Sequence, residues 1–257
     1  MSSEFGLEKL LLFTMVLSRI SGLTMTAPIF GTKDVPMQVR ALLAAALSFL
    51  MLPTQWHVNV GYPGSLANYL FFICSELIIG LCLGLGIVIL FSGLQVAGQL
   101  IGRTGGMMMA NVLDPASGAE IPLFSRLLFL LALSIFVCIG GHRMVMAALL
   151  DTFQSIPPGS GVISTTIVPA FTDLITQSFA LGIRSAAPVV TAILLSTLIM
   201  GLVSRTMPQL NILAVGFGMN SMLTFGILAL SVGGSVYIYQ DEIEPALTLM
   251  LQAIHGP

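Results

Sequence analysis

Arg19, Glu76, Arg143, Asp151, Asp173 and Arg184 stand in or beside long apolar runs. A charge facing lipid is expensive, so each is expected to face protein or water. Glu76 is the acid set deepest in an uncharged stretch. A carboxylate in that position suits one of two tasks: loading and releasing a proton, or completing a structural ion pair. No second acid lies one or two turns away to relay a proton, which favours the structural task. Arg19 and Glu76 are therefore read as buried polar residues. Catalytic patterns such as HExxH, GxSxG or a phosphate-binding P-loop do not occur in the chain. His57, His142 and His255 lie apart from one another and from the cysteines, and His142 with Arg143 reads as a helix-boundary pair. Cys74, Cys82 and Cys138 fall in apolar stretches without CxxC spacing, so they are expected to be inert core residues. No metal, cofactor or enzymatic activity is expected.

Two loops are the other candidate sites. Gly105, Gly106, Met107, Met108, Met109, Ala110, Asn111, Val112, Leu113, Asp114 and Pro115 interrupt a chain that otherwise reads as apolar helix after apolar helix. A loop over a water-facing surface is normally polar, and this one is not. An apolar, Met-rich, Gly-hinged loop suggests a flexible element packed inside a cavity, where thioether side chains fill an irregular space. An ordinary helix end with buried methionines is the alternative. The second loop is the turn from Arg205 to Asn211. There Pro208 ends a helix, while Gln209 and Asn211 can satisfy the backbone groups it frees.

The elements that must position these residues follow from composition. Of the 257 residues, 56% are hydrophobic and only 8% charged, with a mean hydropathy of +1.01. Soluble domains carry roughly 25% charged residues, so burial in or against a membrane is expected. A net charge of -2 without a basic stripe argues against nucleic acid. The chain reads as one all-α domain, 1–257, with about six long hydrophobic helices. Their expected spans are about 4–26, 37–52, 65–101, 122–154, 168–204 and 212–239. A break is expected at Gly140–Gly141, a kink at Pro188, and a short tail with Asp241, Glu242 and Glu244 ahead of Pro245. The first segment is expected to be kept as a helix. The third is too long for one perpendicular span, and Gly80, Gly84, Gly86, Gly93, Gly98 and Gly102 predict close helix contacts, within the chain or with a partner. Lys33 and Arg40 border the first loop, Arg103 and Arg126 the third, and Arg205 the fifth, whereas 53–64 and 155–166 hold no Lys or Arg. The positive-inside rule then places odd loops in the cytoplasm and both termini outside. Arg143 and Arg184 do not fit that scheme.

Several stretches together resemble a known family. They are Arg19-Ile20-Ser21-Gly22 with Ala27-Pro28-Ile29-Phe30, Val35-Pro36 with Arg40, Glu76 through the glycine-rich helix, Asp114-Pro115, Gly141-His142, and Pro157-Pro158-Gly159. Arg205-Thr206-Met207-Pro208-Gln209-Leu210-Asn211-Ile212 with Val215-Gly216-Phe217 is the most specific piece. The chain resembles the FliR/SctT family of bacterial type III export-gate subunits, over nearly its whole length and closer to the flagellar than the injectisome branch. One departure is Gly218-Met219-Asn220, where family members often continue with proline and a basic residue.

The resemblance implies a multi-pass protein of the bacterial inner membrane and flagellar basal body. Its helices would be arranged as hairpins in a helical, cone-shaped gate. The implied partners are FliP-like and FliQ-like subunits, further export-apparatus and basal-body proteins, unfolded export substrates and membrane lipids. The loop 105–120 corresponds to the family's channel plug, which agrees with the cavity-packed loop read from the residues. A proton-coupled secondary transporter is the competing class; it would need a midplane site at an internal repeat, and none stands out.

Overall fold

A computed structural model describes residues 2–31, 35–58, 64–106, 123–160, 164–207, 209 and 212–255. The apolar runs are helical: α1 (Ser2–Thr26), α2 (Met37–Met51), α3 (Leu66–Thr104), α4 (Leu123–Cys138), α5 (Gly141–Ser155), α6 (Ile167–Thr206) and α7 (Ile212–His255). A short 3-10 turn, Leu52–Gln55, follows α2 where Pro53 enters. The chain is an all-α, multi-helix, membrane-spanning protein. Among the described residues four helices are long and apolar enough to cross a bilayer, or up to five if α4 and α5 count as one broken span.

Helix punctuation follows local chemistry at Gly140 and Pro36 and is overridden at Pro245. Gly140 takes a left-handed φ of 77° between α4 and α5, a conformation that costs other residues dearly. Pro36, locked near helical φ, stands at the N-cap of α2. Pro188, in contrast, lies inside an unbroken α6. Pro245, expected to stand in a tail beyond the last helix, lies inside α7, which continues to His255. The reason is packing. Ile243, Ala246, Leu247, Met250, Ala253 and Ile254 are all buried, at the spacing of one helical face. A proline removes a single backbone hydrogen bond, and that buried face outweighs it.

The chain forms two compact units. The first comprises Met1–Ile89, Val137–Ile175 and Ile243–Pro257. In it α1 runs beside α3 in the same direction. Thr14 and Tyr69 share a 2.8 Å hydroxyl contact, and the Ser18 hydroxyl donates to the Ile73 carbonyl at 2.8 Å. Further along, a Cβ on Gly22 would lie 2.5 Å from the Leu77 carbonyl, and one on Gly80 would overlap the Arg19 carbonyl. Thr26 fills the place of a side chain at Gly84, and Met250 of α7 does the same at Gly86. Leu12, Met15, Val16, Ile20 and Leu23 complete the buried face of α1.

The second unit comprises Leu90–Phe136 and Thr176–Glu242. Phe91 is its aromatic centre, with Phe129, Phe136 and Tyr239 edge-on at 5.8, 5.6 and 5.4 Å. Gly93 of α3 and Gly182 of α6 face each other backbone to backbone, and Gly98 meets the Ser125 backbone at the start of α4. The glycines of α3 thus serve contacts within this chain. Cys82 is buried, but Cys74 and Cys138 face outward, so the reading of all three as core residues holds only for Cys82. They lie on helix faces that the described chain does not cover.

Candidate functional site

The α1–α3 seam carries a fully buried ion pair. Arg19 Nε donates to Glu76 Oε2 at 2.6 Å, with both side chains 0% exposed. Close approach of the two backbones at Gly22 and Gly80 brings the short carboxylate within reach of the guanidinium. Arg19 also reaches the end of α5: Nη1 donates to the Thr152 carbonyl at 2.9 Å and to its hydroxyl at 3.4 Å, and Nη2 to the Ile156 carbonyl at 3.0 Å. The Thr152 carbonyl also accepts the Ile156 N–H at 2.9 Å, while the Ile156 carbonyl lies just past the helix, near the negative end of its dipole, where a cation is favoured. The guanidinium also lies 4.3 Å over the Phe153 ring.

Glu76 uses its other oxygen, Oε1, to accept from the Gly159 N–H at 2.9 Å. That donor is presented by a turn. Ser160 N–H donates to the Pro157 carbonyl at 3.3 Å, Pro158 precedes the glycine, and Gly159 has φ 85°. Proline then left-handed glycine is the type II pattern. The site is thus a clasp: one charge holds the end of α5, the other holds the following turn. The carboxylate is engaged at both oxygens, an arrangement suited to fixing structure and poorly suited to exchanging protons.

Of the other charges in apolar runs, Arg143, Asp151, Asp173 and Arg184 are all exposed. Sequence reasoning singled out Arg19 and Glu76, and noted Pro157-Pro158-Gly159 as a loop without joining it to Glu76. Thr152, Phe153 and Ile156 were missed. Thr152 and Ile156 contribute carbonyls, which any residue type supplies, and the Thr152 hydroxyl, which adds a 3.4 Å contact, is one of many in the chain.

The stem of the Met-rich loop is described at two residues. Gly105 is buried, its N–H bonded to the Ile101 carbonyl at 2.8 Å. A Cβ there would stand 3.0 Å from that carbonyl and 3.3 Å from the Thr224 hydroxyl. Gly106 instead has φ 79° and only Phe217 nearby, at 3.9 Å. The two glycines therefore do different jobs: Gly105 permits close approach of α7, and Gly106 turns the chain. Gly106→Ala is expected to cost about 1–2 kcal/mol through its left-handed backbone alone; a lowered Tm of the purified protein checks it. Met107, Met108, Met109, Asn111, Leu113, Asp114 and Pro115 lie outside the described residues. So do Pro208 and Asn211, while Gln209 is exposed in a turn. Ser196 of α6 donates to Asn220 Oδ1 of α7 at 2.9 Å, a polar cross-link on the helices flanking that turn.

The model of the family described as bacterial export proteins, family 1, matches residues 10–246. The chain is 32% identical over 226 residues to the flagellar biosynthetic protein FliR of Escherichia coli (strain K12), covering 88% of this chain and 85% of that protein. It is 30% identical over 226 residues to FliR of Bacillus subtilis (strain 168), with 84% of each chain covered. It is 31% identical over 223 residues to FliR of Aquifex aeolicus (strain VF5), with 86% of each covered.

Proposed function

The chain belongs to family 1 of the bacterial export proteins, and from that membership we propose that it is a structural and gating subunit of the type III export channel that builds the flagellum. The match over residues 10–246 carries this reading, because it reaches into every described helix of the chain. The protein is a multi-pass component of the inner membrane and flagellar basal body, and its role is non-enzymatic. Its helices are arranged as hairpins within a helical gate, as one export-gate domain beside FliP-like and FliQ-like subunits, and unfolded substrates pass through. Supporting this finer picture, the outer faces of α2 and α6 expose many large apolar side chains, among them Leu42, Phe49, Phe179, Ile183, Leu195 and Leu198. Such faces need lipid or protein neighbours.

In this proposal loop 105–120 is the channel plug. Gly106 turns the chain at the end of α3, and in the proposal Met107, Met108 and Met109 seal against the channel wall through many small dispersion contacts that re-form after a substrate passes. Asn111, Leu113, Asp114 and Pro115 complete the plug, and Pro208, Gln209 and Asn211 form a structural turn on the same chain. Deleting Met107 to Leu113 is expected to leave the gate assembled but leaky to ions and small solutes. Membrane conductance of cells carrying the assembled gate is the measurement. A deletion complex as tight as its parent would remove the plug from the proposal. The injectisome branch and the proton-coupled transporter are less well supported: the relatives above are flagellar, and Glu76 is engaged at both oxygens.

A further inference from the structure

We infer that α1 takes its place in the membrane only together with α3, and that Glu76 is the group that admits Arg19. The inference does not rest on the gate reading, since it concerns how two spans of this chain enter the bilayer. The apolar window of α1, Glu8–Thr26, has a mean hydropathy of 1.2, the lowest of the four candidate spans, against 2.7 for α3. Arg19 stands inside that window, eleven residues from Glu8 and seven from Thr26. A mid-helix arginine opposes insertion strongly, and a weakly apolar helix has little surplus to offset it. The far more apolar α3 has surplus enough to carry Glu76.

Chain order then decides which partner acts first. Glu76 is separated from Arg19 by 57 residues, whereas the Thr152 and Ile156 carbonyls follow by 133 and 137. When α3 enters, Glu76 is the first partner for Arg19 that the chain has made. Neutralising the charge also requires the helices to touch closely, and the seam is built for it. A side chain at Gly80 would overlap the Arg19 backbone carbonyl itself. Glu76 and Gly80 sit one turn apart on the same face of α3, one supplying charge and the other clearance.

The test uses the full-length chain with an N-terminal epitope tag, pulse-labelled in cells. The side of the membrane on which the tag lies is read by impermeant protease on right-side-out and inside-out vesicles. The parent is expected to place the tag on one side. Glu76→Leu is expected to divide it between both sides, a rise in misplaced tag of about tenfold or more given the penalty for a mid-membrane charge. Arg19→Leu, and Arg19→Leu with Glu76→Leu, are expected to restore uniform placement. Gly80→Leu keeps both charges but blocks the approach, and is expected to divide the tag as Glu76→Leu does. A folding defect alone lowers yield without moving the tag, so the side ratio distinguishes the two. Uniform placement in Glu76→Leu overturns the inference, and so does a divided tag in the double variant.

Discussion

Glu76→Ala, with Arg19 left in place, is expected to cost about 3–5 kcal/mol, the usual penalty for stranding one member of a buried pair. Against a typical total of about 5–15 kcal/mol, that leaves little folded protein. The size follows from the surroundings. The guanidinium is 0% exposed, and the Gly159 N–H loses its acceptor as well. Replacing both partners with apolar residues of similar bulk, Arg19→Met with Glu76→Leu, is expected to be milder. It removes both charges and takes a partner from the Ile156 carbonyl and the Gly159 N–H, at about 1–3 kcal/mol each where no water reaches them, while the Thr152 carbonyl keeps the Ile156 N–H. Exchanging the charges, Arg19→Glu with Glu76→Arg, is expected to fail. A carboxylate at 19 would face the Thr152 and Ile156 carbonyl oxygens, which repel it and offer no donor. Glu76→Gln keeps an acceptor oxygen and is expected to retain most export. Yield of folded protein and secretion, measured together, check the series. If Glu76→Gln abolished secretion at normal yield, proton carriage would return as the better account of Glu76.

Gly93→Leu in α3 is expected to be nearly as damaging, by a steric route. The space its side chain would need holds the Ser178 carbonyl, with the Ser178 hydroxyl 2.8 Å from the Cβ position. A side chain at Gly182 would in turn overlap the Gly93 carbonyl. Each helix therefore occupies the missing side chain of the other, and neither backbone can yield locally. Overpacking a core commonly costs about 1–3 kcal/mol where side chains can adjust, and a backbone obstacle pushes the figure to or past that upper end. Gly226 in α7 is the control, because no atom lies within 4 Å of its Cβ position. Gly226→Ala is expected to be neutral or to stabilise the isolated chain by up to about 1 kcal/mol through helix propensity. Thermal unfolding of the purified variants separates the two outcomes; equal losses at Gly93 and Gly226 would show that the α3–α6 contact is not what sets the cost.

Those two glycines also show where sequence reading stops. Both sit in long apolar runs and look alike as letters. Only the fold shows that Gly93 faces a neighbouring backbone and Gly226 faces open space. Helix type and approximate extent were legible because apolar runs of this length, punctuated by Pro and Gly, admit few alternatives. The break at Gly140 was legible for the same reason. The passage of α7 through Pro245 was not, since it depends on Met250 and Ala253 meeting Gly86 and Thr166 across more than eighty residues of chain. Arg19 and Glu76 stood out as charges in apolar company. Apart from the Thr152 hydroxyl, their partners at Thr152, Ile156 and Gly159 are backbone groups, and the letters carry no record of those.

The lengths of α3, α6 and α7 have a consequence for the purified protein. They contain 39, 40 and 44 residues, which at about 1.5 Å rise each means roughly 58, 60 and 66 Å of helix. A hydrocarbon slab of about 30 Å would swallow the shortest of them only at a tilt near 60°, beyond the roughly 40° at which transmembrane helices stop leaning. Even at that limit the slab takes about 39 Å of helix, and roughly 19, 21 and 27 Å remain outside. A bend at Pro188 or Pro245 redirects that excess without shortening it. A detergent belt or a nanodisc of ordinary thickness therefore leaves part of the apolar length of α3 and α6 beyond its edge.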